Sequence, residues 1–66
     1  MATDLERELC RMARVHRFNR RGWSSFWAEH REKFQAIADR EVRRKLIDNC
    51  QCIILCGVGE PVEELT

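Results

Sequence analysis

Six thiol and imidazole side chains in this sequence could ligate a metal or act as nucleophiles or proton carriers: Cys10, Cys50, Cys52, Cys56, His16 and His30. Cys52 and Cys56 stand four apart, so on a helix they share a face. Joined by Cys50, Cys10 or a histidine, they would make a tetrahedral zinc site. Two facts weigh against it. The spacing C-x-C-x3-C is not that of a zinc ribbon, and on a helix Cys50 and Cys52 point to different sides. The set Cys50, Cys52, Cys56, His16 and His30 is therefore the minority alternative, and no cofactor is expected. Both histidines lie on apolar faces, where an imidazole usually fills the core with one nitrogen hydrogen-bonded, in preference to sensing pH. A redox-sensing thiol needs exposure and nearby cations, and Ile53, Ile54 and Leu55 surround these cysteines with apolar groups. The N-terminus MATDLEREL has no secretion-signal character, so free thiols used as small buried groups are expected, not disulfides.

The second candidate is a block of arginines: Arg11, Arg14, Arg17, Arg20 and Arg21, a charge of +5 within residues 11–21 with no acid. Arginines along a helix face can track phosphates, and the neighbouring Trp23 could stack on a base. The same block could form the rim of a protein-docking surface or a plain solvated face. A helix-turn-helix is a weak fit. The helix after the turn at Gly22 has a polar face of Ser, Glu, Lys and Gln, which is not basic. For catalysis there is little: no Tyr, no Gly-rich phosphate loop, and no suggestive Ser, His and carboxylate set. The chain reads as a non-enzyme.

The elements that must position these groups are helical. Thr3-Asp4-Leu5-Glu6 matches a capping box and starts a helix over about 4–19, with Leu5, Leu9, Met12 and His16 as its apolar face. Asn19-Arg20-Arg21-Gly22 reads as a turn with Gly22 its left-handed residue. The second helix, about 23–38, holds four of the five aromatic residues. Trp23, Phe26, Trp27, His30, Phe34 and Ile37 fall within an arc of roughly 100°. Continued in register, that face would next present Glu41, Arg44, Lys45 and Asp48. The apolar residues instead move to Val42, Leu46, Cys50 and Ile53. Either the chain breaks near Asp39, a good N-cap, or one long helix changes partners. A third helix then runs over about 40–56, with a buried strand the competitor for CQCIILCGV. Gly57 fits its left-handed end and Val58 the apolar contact after it. Residues 57–66 form an acidic tail in which Pro61 could open a turn.

These readings define a fold class: all-α, one domain over 1–66, a two- or three-helix antiparallel bundle. At 66 residues with 44% hydrophobic and 35% charged content, such a chain is marginal alone and usually needs a disulfide, a metal or a partner. Val15, Phe18, Ile47 and Ile54 lie off the main faces, a surplus of apolar surface that points to a partner. With Trp23 and Ile53 they are the expected contacts for a second copy or another protein, most simply an isologous homodimer through the third helix. No apolar run is long enough for a membrane span, and the chain reads as cytoplasmic. Its size and charged, helix-rich style resemble the small accessory proteins of bacteriophages and mobile elements. That resemblance implies a protein-binding regulator or inhibitor, which occupies a repressor, polymerase or defence complex stoichiometrically. The alternative is a small nucleic-acid-binding regulator using Arg11–Arg21.

Overall fold

The computed structural model describes residues 2–65, and every element it contains there is helical: α1 (Asp4–Phe18), α2 (Trp23–Gln35), α3 (Arg40–Cys56) and a short α4 (Val62–Leu65). The first three helices form an up-down-up bundle. Thr3 and Glu6 at the start of α1 share a hollow with Ile37, Asp39 and Val42 at the start of α3. Arg17 near the end of α1 reaches Ile54 near the end of α3. α1 and α3 therefore run in the same direction, with α2 returning between them. No helix among the described residues is long and apolar enough to cross a membrane.

Local chemistry explains each boundary. The capping box at α1 is complete: Glu6 N–H donates to Thr3 Oγ1 at 3.3 Å, and Thr3 N–H donates to Glu6 Oε2 at 3.4 Å. α1 closes in a Schellman arrangement. Arg21 N–H donates to His16 O and Arg20 N–H to Arg17 O, and Arg20 takes the left-handed conformation at φ 59°. This corrects the expectation for Gly22, which sits in extended backbone at φ −89° as the N-cap of α2. The motif needs its left-handed residue two positions after the last helical one, and that position holds an arginine.

α2 ends at Gln35, short of 38, and the chain breaks before α3. Asp39 caps the new helix, its Oδ1 accepting from Glu41 N–H at 2.9 Å and Val42 N–H at 3.2 Å. The long continuous helix is thereby ruled out, as is a strand over CQCIILC. α3 stops at Gly57, whose φ of 77° is left-handed. Val58 does not make the apolar contact expected after that stop and is 71% exposed.

The core runs through Leu9, Cys10 and Ala13 of α1, Phe26 and Phe34 of α2, and Leu46, Cys50, Ile53 and Ile54 of α3. Ile37 joins it from the connector. The tail closes one side. Asn49 is buried in α3 and grips the tail backbone at both ends of its amide. Its Oδ1 accepts from Glu60 N–H at 2.8 Å and its Nδ2 donates to Glu60 O at 3.1 Å. Any Cβ on Gly59 would collide with the Ile53 side chain. Beyond Pro61, Val62 is buried, and Glu63 pairs with Arg7 at 3.1 Å. The acidic tail is thus a docked fourth element.

A non-glycine residue in left-handed backbone costs about 1 kcal/mol or slightly more. Arg20→Gly should therefore stabilise the fold by up to about 1 kcal/mol, net of glycine's greater unfolded-state entropy. Urea unfolding would read this as a higher midpoint at unchanged slope.

Candidate functional site

The ends of α1 and α3 meet at one pole of the bundle, and there the arginine block gathers around an exposed aromatic. Phe18 falls on α1 half a turn away from Leu9, so the core has no use for it, and it is 86% exposed. Shallow hollows lie on either side of it. One is lined by Arg14, Arg17, Ile53, Gly57 and Gly59, the other by Arg17, Arg20, Arg21, Gly22 and Ile54. Neither lining contains an acid. Val15 stands nearby on the same helix, 48% exposed.

The five arginines do different work. Arg17 Nη1 donates to Ile54 O at 2.8 Å, closing one of the orphan carbonyls at the end of α3 and placing a cation at the negative end of its dipole. Its guanidinium lies so close to Gly57 that a Cβ there would stand 2.8 Å from Arg17 Cζ. Arg21 donates to Ser25 Oγ at 2.8 Å and to the Glu29 carboxylate, which it holds below the usual carboxylate range. Arg11 makes an exposed i,i+3 pair with Glu8 at 3.5 Å, a contact of little energy. Arg14 and Arg20 have no ion pair among the described residues, so they are the block's spare cations.

The residues expected at an apolar or oligomer interface divide. Val15 and Phe18 are exposed and Ile47 is half-buried. Ile53 and Ile54 are 3% and 5% exposed, so each contributes only the floor of a hollow beside Phe18 and no protruding contact. The tail covers Ile53, and α1 with Arg17 covers Ile54. Trp23 is half-buried too, its ring stacked on Phe26 with centroids 5.8 Å apart and tilted against Trp27. It belongs to the aromatic cluster more than to a free surface.

The metal alternative is not assembled as proposed. Cys10 and Cys50 are buried where α1 meets α3, while Cys52 and Cys56 are exposed. Cys50 Sγ faces Leu9 O at 3.8 Å, and Asn49 Nδ2 approaches Cys10 Sγ at 3.6 Å. Contact with Cys10 and then burial push the Cys50 thiol up. Proximity to Cys50, with help from Asn49 and Arg14, pushes Cys10 down against the effect of burial. His16 is buried, with Nε2 3.2 Å from Gly22 O. His30 packs on Phe26 with ring centroids 4.5 Å apart, and its buried Nδ1 has no partner among the described residues. No group of three His, Cys, Asp or Glu side chains suited to a metal occurs among the described residues.

Three residues of consequence escaped the sequence reading. Leu55 is 59% exposed, and Leu46 lying nine residues before it on α3 is the clue that was available, since nine residues turn a helix by roughly half a circle. Asn49, a polar residue on the Leu46–Ile53 face, carried a similar signal. Arg17 as the cap of another helix had none, because that contact spans 37 positions of chain.

Two outcomes follow from these contacts. Gly57→Ala should cost about 1–2 kcal/mol in backbone strain alone and more through displacement of Arg17. In an Arg17→Ala background the extra loss should vanish, which a double-mutant cycle by urea unfolding would measure. Burial, with Lys33 next in effect, lowers the His30 pKa below 6.5. The folded state thus holds His30 neutral where the unfolded chain begins to take a proton. Its contribution is complete above about pH 6.5 and is lost as pH falls through the folded value. His30→Gln should flatten that part of the stability–pH curve. In comparison with known proteins, no family model matches the chain, and no curated protein and no solved structure is found to be similar to it.

Proposed function

We propose that this chain is a small protein-binding regulator. It acts by stoichiometric occupation of another protein's surface, in the manner of phage or mobile-element accessory proteins that antagonise a repressor, polymerase or defence complex. The observation that carries this reading is Phe18. It is the most exposed large apolar side chain among the described residues and is flanked by acid-free hollows containing Arg14, Arg17, Arg20 and Arg21. An aromatic anchor with arginines around it is the usual composition of a binding hot spot. Ordering is cheap there, because Arg17 and Arg21 are already held by internal bonds.

A homodimer through α3 belongs to the same reading. With Ile53 and Ile54 buried, its available apolar groups are Leu55, Val58 and the exposed part of Ile47. The nucleic-acid reading draws on the same exposed aromatic and cations but has less support. Arg11, Arg17 and Arg21 each have a partner within the chain, which leaves few cations to release counterions from phosphates.

The test is capture of partners on the immobilised chain, followed by titration of any retained macromolecule. The expected result is a protein partner whose affinity falls at least about tenfold on Phe18→Ala, a loss of roughly 1.4 kcal/mol or more. Unfolding stability should stay nearly unchanged, because Phe18 is 86% exposed. Retention of DNA or RNA, with affinity falling steeply with salt and abolished by Arg14→Ala with Arg20→Ala, would replace this reading by the alternative.

A further inference from the structure

We propose that Cys52 and Cys56 are one half of a zinc site, which a second copy of this chain completes. Both thiols are free and exposed, and they stand four apart within the unbroken helix α3. Residues at that spacing hold their Cβ atoms roughly 5–6 Å apart on one face. Two sulfurs on one zinc, each at about 2.3 Å, sit roughly 3.8 Å from each other. Rotation about χ1 closes the gap between these two figures without moving the backbone.

Among the described residues no third cysteine or histidine can join them, and no set of three His, Cys, Asp or Glu side chains is placed to hold a metal, although Asp48 and Glu60 line the same hollow as Cys52. Cys10 and Cys50 are buried against α1. His16 is buried with its Nε2 on Gly22 O, and His30 is packed on Phe26. Zinc in a structural site takes four protein ligands. A pair of thiolates is therefore incomplete, and a two-fold axis through the metal supplies the missing pair from the same residues of the second copy.

The surroundings suit a covered dimer centre. Leu55 lies three residues from Cys52 and is 59% exposed, while Val58 lines the same hollow as Cys52 and is 71% exposed. These side chains would lose contact with water as the two α3 helices close on the metal. Lys45 lines that hollow together with the acids Asp48 and Glu60, so the lining itself does not offset the charge of a centre whose four thiolates outweigh the metal's two. Binding forms four Zn–S bonds. Each of the four thiols gives its proton to solvent, no electron is transferred, and affinity therefore weakens as pH falls.

The test uses the full chain, reduced and stripped of metal, titrated with Zn²⁺ and followed by native mass spectrometry and calorimetry. The expected result is one zinc per two chains, with conversion from monomer to dimer. Co²⁺ in place of Zn²⁺ should give the sulfur-to-cobalt charge-transfer absorption of a tetrahedral thiolate site. Cys52→Ser and Cys56→Ser, both at exposed positions, should keep full helicity by circular dichroism and lose metal and dimer together. The proposal fails if the chain stays monomeric with zinc or binds one zinc per chain. It also fails if the dimer survives in both serine variants or after chelation. A dimer abolished by reductant and indifferent to chelator would be a disulfide, and would equally overturn it.

Discussion

Phe26 has no solvent-exposed surface, and four rings close on it: His30 at 4.5 Å, His16 at 5.2 Å, Trp23 at 5.8 Å and Phe34 at 6.1 Å between centroids. Burying such a ring stabilises by about 2–3 kcal/mol, and each well-placed aromatic pair adds roughly 0.5–1.5. Three of the four neighbours come from α2 itself, at helical spacings. The fourth, His16, crosses from α1, and its Nε2 lies against Gly22 O. That contact holds the end of α1 to the start of α2. With the handover fixed, the turn has room for one tight closure, and Arg20 takes its left-handed position. Phe18, on the far side of α1 from this cluster, has nowhere to go but solvent. The exposed aromatic at the candidate site is a consequence of the packing around the other four.

Charge is divided by the same geometry. The block Arg11–Arg21 looks uniform in the sequence, yet the fold separates it by helical angle. Arg17 points along α1 toward α3 and caps it. Arg21, after the turn, falls beside Glu29 on α2. Arg14 and Arg20 are left over, both beside Phe18. A cation that satisfies a helix end is a structural group whatever else it touches. The net positive potential at this pole is therefore smaller than the run of five suggests, and it surrounds an apolar centre. Such a surface suits a partner with both an apolar element and acids better than it suits a phosphate backbone.

Much of the framework was legible because it is local. The capping box at Thr3, the break before Arg40 with Asp39 as cap, and the left-handed stop at Gly57 each rest on contacts within four residues. The helical nature of CQCIILC followed from the amphipathic run before it. What could not be read was anything that joins distant parts. Ile54 seemed surplus because it lies off the main face of α3, and Ile53, though on that face, was expected at a partner contact. The cover over Ile53 comes from a tail held by Asn49 on Glu60, by buried Val62 and by Arg7 on Glu63. A short acidic segment after a glycine-containing stretch gives no periodic signal that it will dock. Gly22 failed for a different reason: which residue of Asn19-Arg20-Arg21-Gly22 turns left-handed depends on where α1 stops, and a shift of one or two residues in a helix end moves that position.

The tail also separates the two free apolar surfaces. Gly57 lines the hollow beside Phe18, whereas Val58 lines the one beside Cys52. Gly59 lines both hollows, and Asn49 holds the stretch in place through Glu60. The cysteines follow the same partition. Cys10 and Cys50 fill the seam between α1 and α3, where a thiol serves as a small apolar group. Cys52 and Cys56 lie on the outer side of α3, where burial gives no reason for them. Under the two proposals, self-association would use Cys52, Cys56, Leu55 and Val58, and capture of a different partner would use Phe18 with Arg14 and Arg20.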